Sequence, residues 1–111
     1  MLTVVEMPSF IRSVQDILDK DGYKLLIDLL AKHPDVGDVI PGTGGLRKLR
    51  VSRPGIGKRG GARVIYYYHS DRMPVYLVYA YAKATSENIT TAEKKIFSAI
   101  IDELKRQYRV H

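Results

Sequence analysis

Seven Lys and Arg side chains crowd residues 47–63 (Arg47, Lys48, Arg50, Arg53, Lys58, Arg59 and Arg63), and no Asp or Glu interrupts them. Solubility alone favours mixed signs, so an unbroken cationic run points to a polyanionic ligand, most commonly the phosphates of RNA or DNA. The chemistry open to this set is phosphate chemistry. A guanidinium grips two phosphate oxygens in a planar fork. A lysine among like charges has its pKa lowered and can accept a proton. RNA carries its own nucleophile, the 2′-hydroxyl beside each scissile phosphate. Cleaving it requires the protein to hold the strand, remove that proton, stabilise the dianionic phosphorane and protonate the leaving 5′-oxygen. Neither a metal nor a histidine is strictly needed.

Other chemistries are poorly supplied. The chain has no cysteine, which removes a disulfide framework, a thiolate zinc site and a Cys nucleophile together. His33, His69 and His111 have no metal-ligand spacing, and acids are too scarce in the middle of the chain for a magnesium-binding cluster, so no metal or cofactor is expected. Gly55-Ile56-Gly57-Lys58 lacks the Ser/Thr after the lysine and has Ser52 in place of the leading glycine of a phosphate loop. A hydrolase triad would have to join His69 to Ser52 or Ser70, and nothing in their spacing supports it. Besides cations, the chain is rich in tyrosine, with six of its eight between Tyr66 and Tyr81.

The elements that must position these groups follow from periodicity. Leu2–Val5 reads as a short strand before Pro8. Phe10, Ile11, Val14, Ile17 and Leu18 mark one face of a helix, interrupted at Asp21-Gly22, and Tyr23, Leu26, Ile27 and Leu30 mark a second that ends near His33-Pro34. Glycines and prolines make residues 35–45 a loop. Leu46–Val51, Ala62–His69 and Pro74–Ala82 read as strands, the last two joined in a hairpin at Ser70-Asp71-Arg72. Thr90-x-x-Glu93 is a capping box ahead of an apolar stripe at Ile96, Phe97, Ile100, Ile101 and Leu104. The order β-α-α-β-β-β-α describes an α+β domain with an antiparallel sheet core. Its 111 residues suit a single domain spanning 1–111.

Charge is distributed unevenly over that scheme. Residues 1–41 hold four Lys/Arg against seven Asp/Glu, residues 42–83 nine against one, and residues 84–111 five against four. The longest uncharged stretch, Met73–Ala82, is ten residues, well short of the roughly 20 that a membrane helix needs. Leu2–Val5 stops at Glu6 without forming a secretory signal. A soluble cytoplasmic protein is the expectation.

Alternation places Lys48 and Arg50 on one face of their strand, with Leu49 and Val51 toward the core. Arg63, Ile65 and Tyr67 share a face, as do Tyr79, Tyr81 and Lys83. With the helical hairpin on one side of the sheet, the other becomes a basic, tyrosine-bearing surface on which Arg63 is expected to be exposed. Tyr66, Tyr67, Tyr68 and Tyr76 suit ordinary sheet packing, whereas Tyr79 and Tyr81 are placed to stack unpaired bases.

The stretches Gly42-Thr43-Gly44-Gly45-Leu46-Arg47-Lys48-Leu49-Arg50 and Gly57-Lys58-Arg59-Gly60-Gly61-Ala62-Arg63-Val64-Ile65-Tyr66-Tyr67-Tyr68 closely resemble the RelE/HigB-like toxins of type II toxin–antitoxin systems. The resemblance covers nearly the whole chain. It implies a RelE-like fold, with an N-terminal strand and helical hairpin packed on a small antiparallel sheet and a closing C-terminal helix. It further implies cleavage of mRNA in the ribosomal A site, giving a 2′,3′-cyclic phosphate and a 5′-hydroxyl, with inhibition of translation and growth arrest. The implied partners are a cognate antitoxin, the ribosome and mRNA, with operator DNA bound only through the antitoxin and no membrane.

Residue by residue, the family's basic strand resembles Lys48 and Arg50, its strand-leading arginine Arg63, and the lysine after its last strand Lys83. RelE proper continues with an arginine and soon a tyrosine; here Ala84 follows, and no Tyr lies between 82 and 107. Tyr81, Lys58 and Arg59 are the groups left for the general acid, and Tyr108 reaches the site only if the last helix folds back. Lys48, Arg50, Arg63, Lys83 and Tyr81 are thus the catalytic candidates; Arg47, Arg53, Lys58, Arg59 and Tyr79 are candidates for RNA or rRNA contact. Two rival readings use the same scaffold: a non-enzymatic ParE-like inhibitor of DNA gyrase, and a repressor subunit supporting an operator-reading partner. No DNA-recognition helix stands out.

Overall fold

The computed structural model describes residues 1–52, 61–86 and 88–108. Eight elements follow in the order β1 (Val4–Glu6), α1 (Pro8–Val14), α2 (Lys20–Lys32), β2 (Asp38–Val39), β3 (Leu46–Val51), β4 (Ala62–Tyr67), β5 (Val75–Ala82) and α3 (Thr91–Tyr108). The strands form a sheet ordered β1-β5-β4-β3-β2. Its β3-β4-β5 part is antiparallel, as expected, and β2 adds to it antiparallel, but β1 runs parallel to β5, pairing Val4–Glu6 with Val75–Leu77, so the whole sheet is mixed. The expected 35–45 loop contributes the short edge strand β2, which pairs Asp38 with Lys48 and Val39 with Arg47.

The two helices of the hairpin divide one step earlier than their apolar periodicity implies. The first ends at Val14, and Asp19 then caps α2 by accepting a hydrogen bond from Gly22 N at 2.8 Å. Asp21-Gly22 therefore lies in the first turn of α2 instead of interrupting a helix, because the side chain of Asp19 satisfies an orphan N–H there. Ile17 and Leu18 still pack on the core from the connecting turn.

Both faces of the sheet are used. Phe10, Val14, Leu26 and Leu30 of α1 and α2 bury Leu49, Val64, Tyr66, Val75, Leu77 and Ala80. On the opposite face Ile89, Phe97 and Ile101 cover Leu46, Ile65, Tyr67, Tyr76 and Val78. Thr90 and Glu93 form the expected reciprocal cap at the start of α3, at 2.7 and 3.0 Å. At its other end Lys105 donates to Gly44 O at 2.8 Å and lies 5.6 Å from the centre of the Tyr67 ring.

A bulge in β5 decides which face receives the tyrosines. Ile65 pairs with Tyr79 but Tyr66 pairs with Leu77, leaving Val78 as the extra residue. Strict alternation would put Tyr79 and Tyr81 on the face of Val75 and Leu77; the extra residue moves them to the face of Tyr76 and Val78 instead. Past the end of β1, α1 supplies the missing partners along this edge: Ser9 Oγ donates to Val78 O at 2.5 Å, and Ala80 N donates to Ser13 Oγ at 2.9 Å.

Candidate nucleic-acid interface

The register brings the predicted residues of three strands into one row. Arg50 on β3 lies opposite Arg63 on β4, which lies opposite Tyr81 on β5. Direct cross-strand partners point to the same face, and adjacent strands sit roughly 4.8 Å apart, so the row spans about 10 Å. The next row along the strands is Lys48–Ile65–Tyr79. On the other side, just beyond β5, Lys83 N donates to Gly61 O at 2.9 Å, which places Lys83 one step past Tyr81 on the same face. The two lysines thus flank the Arg50–Arg63–Tyr81 row. Lys48, Arg50, Arg63, Lys83, Tyr79 and Tyr81 come together although 35 positions of sequence separate the first from the last.

Arg63 corrects the expectation of exposure: only 7% of it is accessible. It stands on the central strand, hemmed by Arg50 and Tyr81 on either side, and its Nη1 donates to Ala62 O at 3.2 Å. A buried guanidinium held by backbone is a fixed charge, whereas Arg50 and Lys83 are exposed. Tyr81, at 6% exposure, is likewise packed into the row and does not offer an open stacking face. Tyr79 is half-buried, its ring 5.3 Å from that of Phe97 and 6.0 Å from that of Tyr81. Burial, and next the charge of Glu93 and a hydrogen bond to its carboxylate, push the Tyr79 phenol above its ordinary pKa.

The expected open basic surface is therefore only part of that face. Phe97, Ile101, Ile100 and Leu104 of the α3 stripe cover the Leu46–Tyr67–Tyr76 end, whereas Ile96, expected in that stripe, is exposed. The helix does fold back, but it carries Tyr108 to Tyr76, hydroxyl to hydroxyl at 3.2 Å. Tyr76 is raised above the ordinary phenol value by burial and then by the Tyr108 hydroxyl. From Arg63 to Tyr67, the Tyr76 partner on β4, is four residues, roughly 13 Å of strand. Tyr108 thus lies away from the arginine row.

Arg47 points to the opposite face, as alternation requires. Its Nη1 donates to Asp35 O at 3.1 Å and Gly37 O at 2.7 Å, holding the turn before β2. Tyr66 braces the same turn, donating to Pro34 O and accepting from Gly37 N, both at 2.7 Å. A Cβ on Gly37 would lie 2.7 Å from the Tyr66 ring and 3.0 Å from Lys48 O, so only glycine fits there. Arg53, Lys58 and Arg59 lie outside the described residues.

Side chains that the sequence did not single out complete the surroundings. Lys48 Nζ donates to Asn88 Oδ1 at 2.9 Å. Asn88 and Ile89 just before α3, Lys94 in its first turn and Asp38 from β2 line an open groove of about 630 Å³ with Lys48 and Arg50. The capping box located the start of that helix, but nothing in residue spacing brings Asn88 to a strand 40 positions away. Among the described residues, no carboxylate lies within ion-pair distance of Lys48, Arg50, Arg63 or Lys83; the pair present is the exposed Arg106–Glu103. Nor do any three His, Asp or Glu side chains among them gather as metal ligands would.

Fold and site together define a class: a small α+β protein whose sheet gathers cations on one face, with no carboxylate in ion-pair contact with them among the described residues. Residues 38–109 match the family described as the RelE toxin of the RelE / RelB toxin-antitoxin system, and the chain belongs to that family. A cognate antitoxin is the partner that membership implies. A solved structure of the E. coli toxin RelE, a double arginine-to-alanine mutant in the free state, is similar at a TM-score of 0.52 and 13% sequence identity. The match covers 78% of this chain and 87% of that one, and establishes the fold. Among the described residues, no helix is long and apolar enough to cross a membrane.

Proposed function

We propose that this toxin is a ribosome-dependent mRNA endoribonuclease that works without a metal and arrests growth by inhibiting translation. The observation that carries the reading is the Arg50–Arg63–Tyr81 row with a lysine on each flank. Arg50 and Arg63 bind the non-bridging oxygens of the scissile phosphate and stabilise the charge that builds on the phosphorane. In-line displacement puts the attacking 2′-oxygen and the leaving 5′-oxygen on opposite sides of phosphorus. Lys48 and Lys83 approach from opposite sides of the row and exchange the two protons, one as base and the other as acid. The 2′-oxygen–phosphorus bond forms as the bond to the 5′-oxygen breaks, leaving a 2′,3′-cyclic phosphate and a 5′-hydroxyl. Tyr81 buttresses Arg63, and Tyr79 packs beside the row. Arg53, Lys58 and Arg59 contribute phosphate or rRNA contacts.

Primer extension on a defined mRNA, with purified protein and with or without programmed ribosomes, tests this. The expected result is cleavage at A-site codons in the tube that contains ribosomes. No cleavage in either tube, with Arg63→Ala equally inert, would overturn the nuclease reading in favour of a gyrase inhibitor, which a supercoiling assay would then detect.

A further inference from the structure

The groove beside the arginine row has a composition that phosphate binding alone does not explain. Its volume of about 630 Å³ lies within the range of small-molecule sites and is ample for one nucleoside. Ile40 and Ile89 give it apolar walls, while Lys48, Arg50 and Lys94 supply cations. Asp38 is the exception: it is a carboxylate in a wall otherwise built to attract anions. The register places it directly opposite Lys48, on the same face, yet the two are not in ion-pair contact. The site is also firmly held. Gly37, wedged against Tyr66 and bonded to its hydroxyl, fixes the backbone immediately before Asp38.

We infer that this groove seats the base of a nucleotide next to the scissile phosphate, with Asp38 reading its pairing edge. The inference rests on the nuclease reading and adds the residue that sets base preference. A carboxylate only accepts hydrogen bonds, and its two oxygens match two adjacent N–H donors. Guanine presents such a pair, N1–H and the exocyclic amine; uracil presents one N–H between two carbonyls that a carboxylate repels. The apolar walls take the base plane, and the cations on the row side take its phosphate. Asp38 is therefore a specificity-determining residue.

The test measures binding of the whole protein to four 2′-O-methyl trinucleotides that differ only in the central base and cannot be cleaved. Wild type is expected to bind the guanine trinucleotide about tenfold tighter than the uracil one, the discrimination of a good bidentate contact, and Asp38→Asn to bring the two within about twofold. Asp38→Ala, which takes the same negative charge from the cationic groove as Asp38→Asn, should likewise strengthen uracil binding as the guanine advantage disappears. Circular dichroism checks that both variants fold, as an exposed position on an edge strand leads one to expect. Equal binding of all four by wild type, or an unchanged ranking in Asp38→Asn, overturns the inference. Cleavage by programmed ribosomes with no such ranking would sink the groove and leave the nuclease reading standing. Ranking and its loss without any cleavage would do the reverse.

Discussion

The two faces of the sheet are made by the same strands but solve different problems. Beneath α1 and α2 the alternate residues of β3–β5 are apolar apart from Arg47, and the polar groups there are tied to backbone: Tyr66 to the Pro34–Gly37 turn, Arg47 to the same turn, Ser9 and Ser13 to β5. Beneath α3 only one end is apolar and covered. The other holds Arg50, Arg63, Lys48 and Lys83 with no described acid in ion-pair contact. Cations gathered in that way repel one another, a cost that the hairpin face does not carry. The difference indicates that one face supplies stability and the other retains charge for a phosphate.

Breaking each face separately tests that division. Phe10→Ala removes a fully buried ring from the hairpin face and is expected to cost about 3–5 kcal/mol in denaturant unfolding. A loss below about 1 kcal/mol would show that this face is not where stability resides. On the other face, Arg63→Ala is expected to lower cleavage by about 10²–10³ while the protein stays folded. Arg63→Lys should recover part of that loss, and near-normal cleavage by a folded Arg63→Ala protein would remove Arg63 from the mechanism.

Smaller changes sharpen the comparison. Tyr66→Phe strips one buried and one part-buried hydrogen bond from the brace of the Pro34–Gly37 turn and is expected to cost about 1–3 kcal/mol. It carries a pH signature as well. Burial foremost holds the folded Tyr66 phenol above its ordinary 10.0, an effect that hydrogen bonding from Gly37 only partly offsets. Between the unfolded and folded values the native state binds more protons, so this contribution is complete below pH 10 and is lost as pH rises through the raised folded value. Tyr66→Phe should therefore show a shallower alkaline loss of stability than wild type, and identical slopes would contradict the burial argument. Least of all, Ser13→Ala leaves the Ala80 N–H without its partner and should cost about 1 kcal/mol, with cleavage unchanged. A fall in cleavage would mean that the Val78 bulge couples the two faces.

Much of this was legible in the residues. The β3, β4 and β5 segments, the hairpin at residues 70–72 and the capped last helix follow from alternation, β-branching and Thr90-x-x-Glu93, all short-range signals. The family was legible in the glycine-framed cationic stretches. Residues 42–45 show why: Gly42, Gly44 and Gly45 adopt positive φ of 75°, 75° and 118°, and an added Cβ on Gly45 would lie 3.0 Å from the Tyr67 ring. The burial of Arg63 was not legible. Exposure depends on how far neighbouring rows and α3 reach across the face, and a strand's own alternation carries none of that. Nor was Asn88, which meets Lys48 only because the sheet and the start of α3 converge.

By itself, the sequence determined that a strand, two helices, three longer strands and a closing helix would form, that the middle of the chain would be strongly basic, and that Lys48 would share a face with Arg50 and Tyr79 with Tyr81. These depend on residues a few positions apart, where the periods of helix and strand hold without reference to the rest of the chain. Only the tertiary structure decided that the Val78 bulge turns Tyr79 and Tyr81 to the arginine face. Only the folded chain directs the apolar stripe of α3 to one end of that face, leaving the row of arginines between two lysines beside the groove at the other. Those outcomes are set by pairing register and by competition for buried area among distant elements, quantities that exist only once the chain has folded.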